Sequence, residues 1–435
     1  MRVTIAVSVL CLSLFSLGLC PASVGGPNFP TPTFAELPAD AQILSDKQVD
    51  GIRLREIMFA GGEFNGHPSK IYAWYAQPAG PGPFPAVLAL HGASLVVLHP
   101  DMALGYARAG FVCLAIDWQG PTPQRTPPYS EYVSPGKMAY DPPDQQVKPW
   151  PHVFQSYGLA QDGLHAAVQF CLRGLMFLRA QKEVDAGRVC VSGMSGGGHL
   201  TLIVSGLDPG IRASCATYGC GYIADLGRGG YYGPVTLTPP DQFTAWVHVF
   251  DPRYYLPHYR GAVLLRSGTN DIFSWMPAVL QTYRAMPVNK RLDMVPNDNH
   301  GRVNGVSDED LARRFFHSIF GDQPAFPQVT APVATPEGAN LRLRATVTGP
   351  SPLAAVQFCV KTSALKDIRA KGGYQILPAT LVAGTKSQYE VVVPAPQAGE
   401  QMIAYVWAHD NTAAECTSDT LEVPLYPAWR AITPD

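Results

Sequence analysis

Ser195 stands at the centre of Gly193-Met194-Ser195-Gly196-Gly197, which fits the pattern G-x-S-x-G. A serine in this pattern is typical of a sharp strand-to-helix turn that exposes the hydroxyl for attack on a carbonyl carbon. The glycines indicate that neighbouring backbone crowds the turn and leaves no room for a Cβ atom. By itself the pattern also fits a glycine-rich structural loop, so other residues must decide between the two interpretations.

A nucleophilic serine needs a base and an acid that orients the base, and two later loops supply both. Asp271 follows the apolar run 262–266, and His300 follows the short apolar run 292–295. The chain order Ser, Asp, His is the order found when a G-x-S-x-G serine acts in catalysis. We expect His300 to take the hydroxyl proton and Asp271 to fix the imidazole tautomer.

Other polar residues near these loops have competing interpretations. Asp298 and Asp293 are alternatives for the acid, but Asp298 shares a short loop with His300 and Asp293 lies within a short strand. His91, at a strand end, and His199, after the glycine cluster, are better explained as structural residues because His300 already fills the position of the base.

Stabilisation of an oxyanion requires two N–H donors. The amide of Gly196 can supply one, helped by the dipole of the helix that it begins. The second donor is expected from the loop after His91-Gly92, where Ala93 is favoured over Ser94.

Apolar strand-like runs alternate with helical patterns over residues 51–322, which predicts an α/β domain with a mostly parallel sheet. An antiparallel pair, 52–60 and 70–77, precedes the alternating part. The later predicted strands are 86–90, 111–116, 189–191, 211–218, 262–266 and 292–295, and the predicted helices are 101–108, 155–182, 275–285 and 311–320. Residues 121–152 are rich in proline and tyrosine and are expected to form a functional lid or rim.

Residues 328–427 have a different pattern, with short alternating strands between turns and little helix. This is typical of a small Ig-like or fibronectin-like β-sandwich. The sequence leaves open whether this domain binds carbohydrate or braces the α/β domain, with bracing favoured.

The N-terminal residues 1–22 resemble a secretory signal peptide, with Arg2 before an apolar stretch and a cleavage site near Ala22. Residues 23–50 are interpreted as a leader. A secreted or periplasmic protein is therefore expected, without stable membrane insertion after cleavage. Seven cysteines lie beyond this signal, an odd number. Two pairings are conceivable, Cys215 with Cys220 and Cys359 with Cys416.

Composition narrows the possible partners. The chain has 435 residues, 46% hydrophobic and 15% charged, and a formal net charge of -2. This balance predicts a large apolar core and gives no indication of nucleic acid as a partner. No Cys/His spacing resembles a metal site, and the expected chemistry requires neither a metal nor an organic cofactor.

With these residues in place, residues 70–320 resemble an α/β-hydrolase of the dienelactone hydrolase and acetyl xylan esterase kind. The resemblance rests on the following motifs: Leu90-His91-Gly92, Val184-Asp185 before Arg188, Gly193-Met194-Ser195-Gly196-Gly197, Tyr218-Gly219-Cys220-Gly221, Gly268-Thr269-Asn270-Asp271 and Asn299-His300-Gly301. It implies that Ser195 is the nucleophile, Asp271 the acid and His300 the base. Dienelactone hydrolases use a cysteine nucleophile, so Ser195 argues against that activity. Many relatives have further glycines where this chain has Ala93-Ser94.

The expected function is that of a secreted serine carboxylic-ester hydrolase acting on a small-molecule or polysaccharide ester, with deacetylation of carbohydrate as one expected reaction. Trp118, Trp150, Trp246 and Trp275 lie in or near the loops around the expected site, where Trp118 and Trp275 are candidates for stacking on sugar rings. A serine peptidase of the prolyl-oligopeptidase type is the alternative enzyme, although the stretch before the core strands is too short for its propeller. A non-catalytic binding protein on a hydrolase scaffold is the alternative from a different class.

Overall fold

The computed structural model describes residue 29 and residues 40–64, 66–93, 97–121, 125–132, 163–223, 247–271, 273–301, 305–364 and 373–424. The predicted signal peptide, most of the predicted lid, Ser94, Trp150 and Trp246 lie outside the described residues. Predictions that concern them therefore remain predictions.

Helices and strands alternate through the first two thirds of the described chain. The helices are α1 (Asp101–Arg108), α2 (Gly163–Arg179), α3 (Gly196–Leu207), α4 (Met276–Ala285) and α5 (Asp308–Phe320). The strands of this part are β1 (Gln42–Val49), β2 (Ile52–Phe64), β3 (His67–Gln77), β4 (Phe84–Leu90), β5 (Val112–Ile116), β6 (Val184–Met194), β7 (Ile211–Thr217), β8 (Ala262–Gly268) and β9 (Lys290–Val295). Short 3₁₀ turns at Pro252–Tyr254 and Leu256–His258 follow β7.

The remaining described strands form the C-terminal domain. They are β10 (Gln328–Val329), β11 (Val333–Glu337), β12 (Asn340–Thr348), β13 (Leu353–Ala364), β14 (Gln375–Pro378), β15 (Thr380–Leu381), β16 (Gln388–Pro394), β17 (Glu400–Asp410), β18 (Glu415–Thr417) and β19 (Leu421–Val423). The predicted β-rich C-terminal domain is confirmed.

The central sheet has the strand order β1-β2-β3-β5-β4-β6-β7-β8-β9. Strands β1 to β3 pair antiparallel, and every pair from β5 to β9 is parallel. The carboxyl ends of the parallel strands therefore lie at one edge of the sheet, where ligand sites of open α/β sheets form. The predicted α/β fold is confirmed.

The boundary that we placed at residue 50 divides a hairpin. Residues 42–49, assigned to the leader, form β1 and pair with β2 from Gln42 opposite Met58 to Val49 opposite Ile52. Most side chains of β1 are exposed, because it is the edge strand of the sheet. An edge strand without a buried face lacks the apolar alternation by which strands are identified.

Both faces of the parallel sheet are covered by apolar side chains. Along β4, Leu88 and Leu90 pack into one core cluster with α2, α3 and α4, while Val87 and Ala89 pack into another with α1 and α5. Alternate residues of a strand point to opposite faces, so a strand buried on both sides reads as one continuous apolar run.

Helix α5 begins with a side-chain cap from Ser307. The Ser307 hydroxyl oxygen accepts the Asp310 backbone N–H at 3.1 Å. This contact satisfies one of the free amides of the first turn. Gly321 ends the helix in the left-handed conformation with φ 82°.

The C-terminal sandwich continues the hydrolase sheet. Thr417 of β18 pairs with Leu292 of β9, and β17, β13 and β14 follow beyond β18. Alternate residues of β17 divide between two cores, with Tyr405 and Trp407 packing on the hydrolase domain and Val406 packing within the sandwich. The sandwich is therefore joined to the hydrolase domain by a shared sheet as well as by the connecting chain.

A buried charged group, which we call the Arg266 cluster, crosses this junction. The Arg266 guanidinium lies 3.2 Å from Asp293, 2.9 Å from Asp308 and 3.0 Å from Glu415. Burial and the neighbouring carboxylates raise the pKa of Asp293 well above its ordinary value, against the opposing effect of Arg266. Burial also acts to raise the pKa of Glu415, but the hydrogen bond from His409 and the charge of Arg266 lower it overall. The cluster thus favours a proton on Asp293.

Within the described ranges, no helix combines the length and apolar character needed to cross a bilayer. The cysteines there are buried and unbonded to one another, so neither conceivable pairing is formed. They are Cys113, Cys171, Cys190, Cys215, Cys220, Cys359 and Cys416.

Candidate active site

Ser195 lies between the end of β6 and the start of α3, in a strained turn. Its backbone has φ 58° and ψ -118°, and its N–H donates to the Thr217 carbonyl oxygen at 2.8 Å. A Cβ atom on Gly193 would lie 2.2 Å from the Gly197 carbonyl oxygen, and one on Gly197 would lie 2.3 Å from that of Leu90. The predicted crowding of the turn is therefore present, and it lets the strand, the turn and the helix pack closely with the serine at the apex.

The structure brings the three predicted side chains together. Nε2 of His300 lies 2.7 Å from Oγ of Ser195. Nδ1 of His300 lies 3.0 Å and 2.9 Å from the two carboxylate oxygens of Asp271. The imidazole thus bridges a hydroxyl and a carboxylate, the arrangement in which a base can take a hydroxyl proton while its positive form is stabilised.

The Asp271 carboxylate is buried and held by donors from its own loop. Oδ1 accepts the backbone N–H of Phe273 at 2.7 Å and that of Ser274 at 3.0 Å. Oδ2 accepts the Ser267 hydroxyl at 3.3 Å. These donors fix the direction of the carboxylate.

Asp293 and Asp298, the two alternatives for the acid, make other contacts. Asp293 faces Arg266 in the buried cluster at the domain junction. Asp298 contributes its backbone carbonyl oxygen, which accepts the N–H of Asn270 at 2.8 Å. Among the three aspartates, Asp271 makes the contact with Nδ1 of His300.

The predicted oxyanion donors flank Ser195. Gly196 is the first residue of α3, where geometry leaves a backbone N–H without an acceptor inside the helix. A Cβ on Gly92 would lie 3.6 Å from Cβ of Ser195, so the loop carrying Ala93 runs beside the serine. Nδ1 of His91 donates to the Gly92 carbonyl oxygen at 2.7 Å. Because a planar trans peptide directs C=O and N–H oppositely, this bond turns the Ala93 N–H away from the His91 ring.

Trp118 does not offer an exposed stacking surface, and our assignment of it to sugar binding is wrong. Its side chain is completely buried. The ring stacks on His91 at 4.9 Å between centroids, and its N–H donates to the His91 carbonyl oxygen at 2.8 Å. Trp118 follows a buried strand end, and the sequence alone does not reveal whether such an aromatic turns outward or inward.

Asp117, which precedes Trp118 in the chain, anchors the same region. Its carboxylate accepts Arg125 at 2.6 Å and the backbone N–H of Ser130 at 2.7 Å. Burial acts to raise the pKa of Asp117, but His91 and Arg125 lower it overall. This ion pair could not be predicted from the sequence, because Arg125 lies within a stretch that has no periodic pattern.

A small cavity adjoins Ser195. It is lined by His199, Tyr218, Gly219, Cys220, Phe273 and Ser274. The Tyr218 and Phe273 rings also contact the His300 ring, with centroids 5.0 Å and 4.7 Å away. Burial lowers the pKa of His199 to about 3, so this residue is a neutral wall of the cavity. Trp275 precedes α4 and packs, partly buried, against the core.

The described part of the chain contains no group of three or more His, Cys, Asp or Glu side chains arranged to hold a metal ion.

The parallel sheet, with a serine in the turn after β6 and an Asp/His pair after β8 and β9, defines an α/β-hydrolase. Residues 34–229 match the family model described as acetyl xylan esterase (AXE1). Residues 208–369 match the model described as PhoPQ-activated pathogenicity-related protein. The predicted resemblance to acetyl xylan esterases is confirmed, and the enzymes to which the chain is similar are carboxylic-ester hydrolases.

Three individual proteins are similar to parts of this chain. Acetyl esterase Axe7A of Xylanibacter ruminicola is 29% identical over 177 residues, which are 37% of this chain and 36% of that protein. The match thus spans about a third of the curated relative. Acetyl xylan esterase 1 from a Thermoanaerobacterium species superposes with a TM-score of 0.53 at 20% identity, over 65% of this chain and 87% of that chain. An acetyl xylan esterase from a Paenibacillus species has a TM-score of 0.49 at 20% identity, over 61% and 84% of the respective chains.

Proposed function

We propose that this protein is a serine esterase that removes acetyl groups from carbohydrate through an acyl-enzyme. The observation that carries the proposal is the bridge formed by His300, 2.7 Å from the Ser195 hydroxyl and 2.9 Å from the Asp271 carboxylate. The match of residues 34–229 to acetyl xylan esterases supports an acetylated sugar as the substrate. The small cavity beside Ser195, which the Tyr218 and Phe273 rings help to line, favours a short acyl group.

The proposed reaction has two halves. Nε2 of His300 takes the proton of Ser195 as Oγ bonds to the acetyl carbonyl carbon, and the backbone N–H groups of Gly196 and Ala93 stabilise the oxyanion. The carbon–oxygen bond to the sugar breaks, and His300 protonates the departing alcohol. Water then attacks the acetyl-serine with His300 as base, which releases acetate and restores the hydroxyl.

The decisive comparison is between the wild type and Ser195→Ala. We expect the wild type to hydrolyse p-nitrophenyl acetate faster than the butyrate and to release acetate from acetylated xylan. Ser195→Ala should lower kcat by several orders of magnitude. A folded wild type that hydrolyses none of these esters, or a Ser195→Ala variant with unchanged turnover, would contradict the proposal.

We further propose that residues 1–22 direct export and are removed from the mature protein. The basis is the sequence pattern of Arg2, the apolar stretch and Ala22. Terminal sequencing of the exported protein should find its first residue close after Ala22. A mature protein that retains Met1 would contradict cleavage.

A further inference from the structure

Asn297 lies at the meeting point of three segments, and each of its polar groups has a partner. Its backbone N–H donates to the Thr269 hydroxyl at 2.8 Å, and its carbonyl oxygen accepts the Asn270 side chain at 2.9 Å. Its side-chain Nδ2 donates to the Tyr374 carbonyl oxygen at 2.8 Å, while Oδ1 accepts the Tyr374 N–H at 3.1 Å. The backbone of Asn297 thus binds the loop of Asp271, and its side chain binds the C-terminal domain.

The conformation of Asn297 suits a residue that sets the course of a short loop. It has φ 63°, in the left-handed region where asparagine is tolerated. His300 follows three residues later, and its imidazole must stay within hydrogen-bond reach of both Ser195 and Asp271. A small rotation at Asn297 would displace the imidazole, and misplacement by about 1 Å can cost about a hundredfold in rate.

Tyr374 is itself firmly anchored. It immediately precedes β14 and is 7% exposed. Its hydroxyl donates to the sulfur of Met276 in α4 at 3.3 Å, and its ring packs against Tyr405 of β17 at 5.6 Å. The two hydrogen bonds between Asn297 and Tyr374 therefore connect the His300 loop to a buried residue of the sandwich that packs against the hydrolase domain.

We propose that Asn297 is a positioning residue through which the C-terminal sandwich holds the His300 loop in register with Ser195. This rests on the proposed function insofar as His300 is the base. The sandwich then contributes to catalysis through the backbone of Tyr374, and not through contact with the substrate.

Three variants separate this role from general stability. Asn297→Gly keeps the left-handed backbone and both backbone contacts but removes the two bonds to Tyr374. Asn297→Asp keeps the shape and the acceptor, yet places a second acceptor against the Tyr374 carbonyl oxygen. Asn411→Gly is the matched control, because it makes the same substitution in an exposed turn of the sandwich, where the Asn411 backbone N–H donates to the Pro352 carbonyl oxygen at 3.1 Å.

Two rates are measured at a temperature where thermal melting shows each variant to be folded. They are the turnover of p-nitrophenyl acetate and the labelling of Ser195 by a fluorophosphonate, which needs an activated serine but no ester. We expect Asn297→Gly and Asn297→Asp to lower kcat and the labelling rate by about 10-fold to 100-fold with KM within about twofold of the wild type. Asn411→Gly should retain both rates.

A folded Asn297→Gly with wild-type rates, or with a change confined to KM, overturns the proposal. If Asn297→Gly does not fold, Asn297→Asp decides by the same criteria. A wild type that is labelled but hydrolyses no ester contradicts the proposed function, while its labelling rates still test Asn297. A wild type that is not labelled overturns both.

Discussion

Nη2 of Arg266 and Oε1 of Glu415 lie 3.0 Å apart across the junction of the two domains, and neither side chain is exposed to solvent. Arg266 belongs to β8, which leads into the Asp271 loop, whereas Glu415 begins β18 of the sandwich. Glu415 also accepts the backbone N–H of Val306 just before α5. A single carboxylate thus joins three elements of the junction.

Replacing this carboxylate should weaken the whole protein. Glu415→Gln removes one partner of a buried guanidinium and is expected to lower the free energy of unfolding by roughly 3 kcal/mol, moderated by Asp308, which still faces Arg266. Urea unfolding at pH 7 measures the effect. Glu390→Gln breaks the surface pairs with Arg342 and Arg344 in the same domain and should change the urea midpoint little, since surface pairs contribute little. Equal effects of the two substitutions would contradict a special role for Glu415.

The raised pKa of Asp293 predicts an unusual dependence of protein stability on pH. Burial raises its native-state pKa, so the native state binds more protons than the unfolded state above about pH 4, the ordinary carboxyl pKa. The contribution of Asp293 to stability is therefore complete below that pH and is lost as the pH rises through the raised value. Asn in this position cannot ionise.

Asp293→Asn should accordingly flatten the loss of stability toward alkaline pH. The measurement is the urea midpoint of wild type and variant from pH 5 to pH 9, with Asp322→Asn, an exposed site, as control. Parallel curves for wild type and Asp293→Asn would show that Asp293 is already ionised in the native state across this range.

The identity of the acid can be tested with two equivalent substitutions. Asp271→Asn leaves an amide facing Nδ1 of His300 and should lower kcat on p-nitrophenyl acetate by about 10⁴-fold, the order seen when a triad acid is replaced. Asp298→Asn makes the same change in the loop that carries His300. It should retain most of kcat, because the backbone carbonyl oxygen of residue 298 still accepts the N–H of Asn270. The reverse ranking of the two variants would identify Asp298 as the acid.

Trp118 gives a test of the loop that carries Ala93. Trp118→Phe keeps a ring against His91 but removes the donor to its carbonyl oxygen, and an unsatisfied buried acceptor costs about 1–3 kcal/mol. We expect kcat to fall about tenfold on both p-nitrophenyl acetate and acetylated xylan, by the same factor. A rise in KM for xylan alone, with normal turnover of the small ester, would restore the sugar-binding interpretation.

The positions of Ser195, Asp271 and His300 could be anticipated because each follows a recognisable buried strand, and parallel strands bring their carboxyl ends together. Long-range polar partners could not be anticipated in this way. Tyr374 binds Asn297 from 77 positions away, and a backbone partner leaves no trace in residue type.

Tertiary packing explains the two predictions that were wrong, the exposure of Trp118 and the domain boundary at residue 50. Trp118 occupies a loop position where an aromatic residue is as readily packed inward as exposed. Strand β1 carries a polar sequence, so its place in the sheet comes from backbone pairing with β2. In both cases tertiary packing, and not local pattern, determines the outcome.

The pairing of Leu292 with Thr417 has a consequence for how such a chain can evolve. Domains linked only by a flexible tether can be exchanged between genes without loss of stability. In this protein, however, β9 pairs with β18, a strand of the other domain. Removal of the sandwich would leave the edge of β9 unpaired and would expose the apolar surface that Tyr405 and Trp407 cover. The two domains are therefore expected to be inherited together, with substitutions at their seam changing in concert.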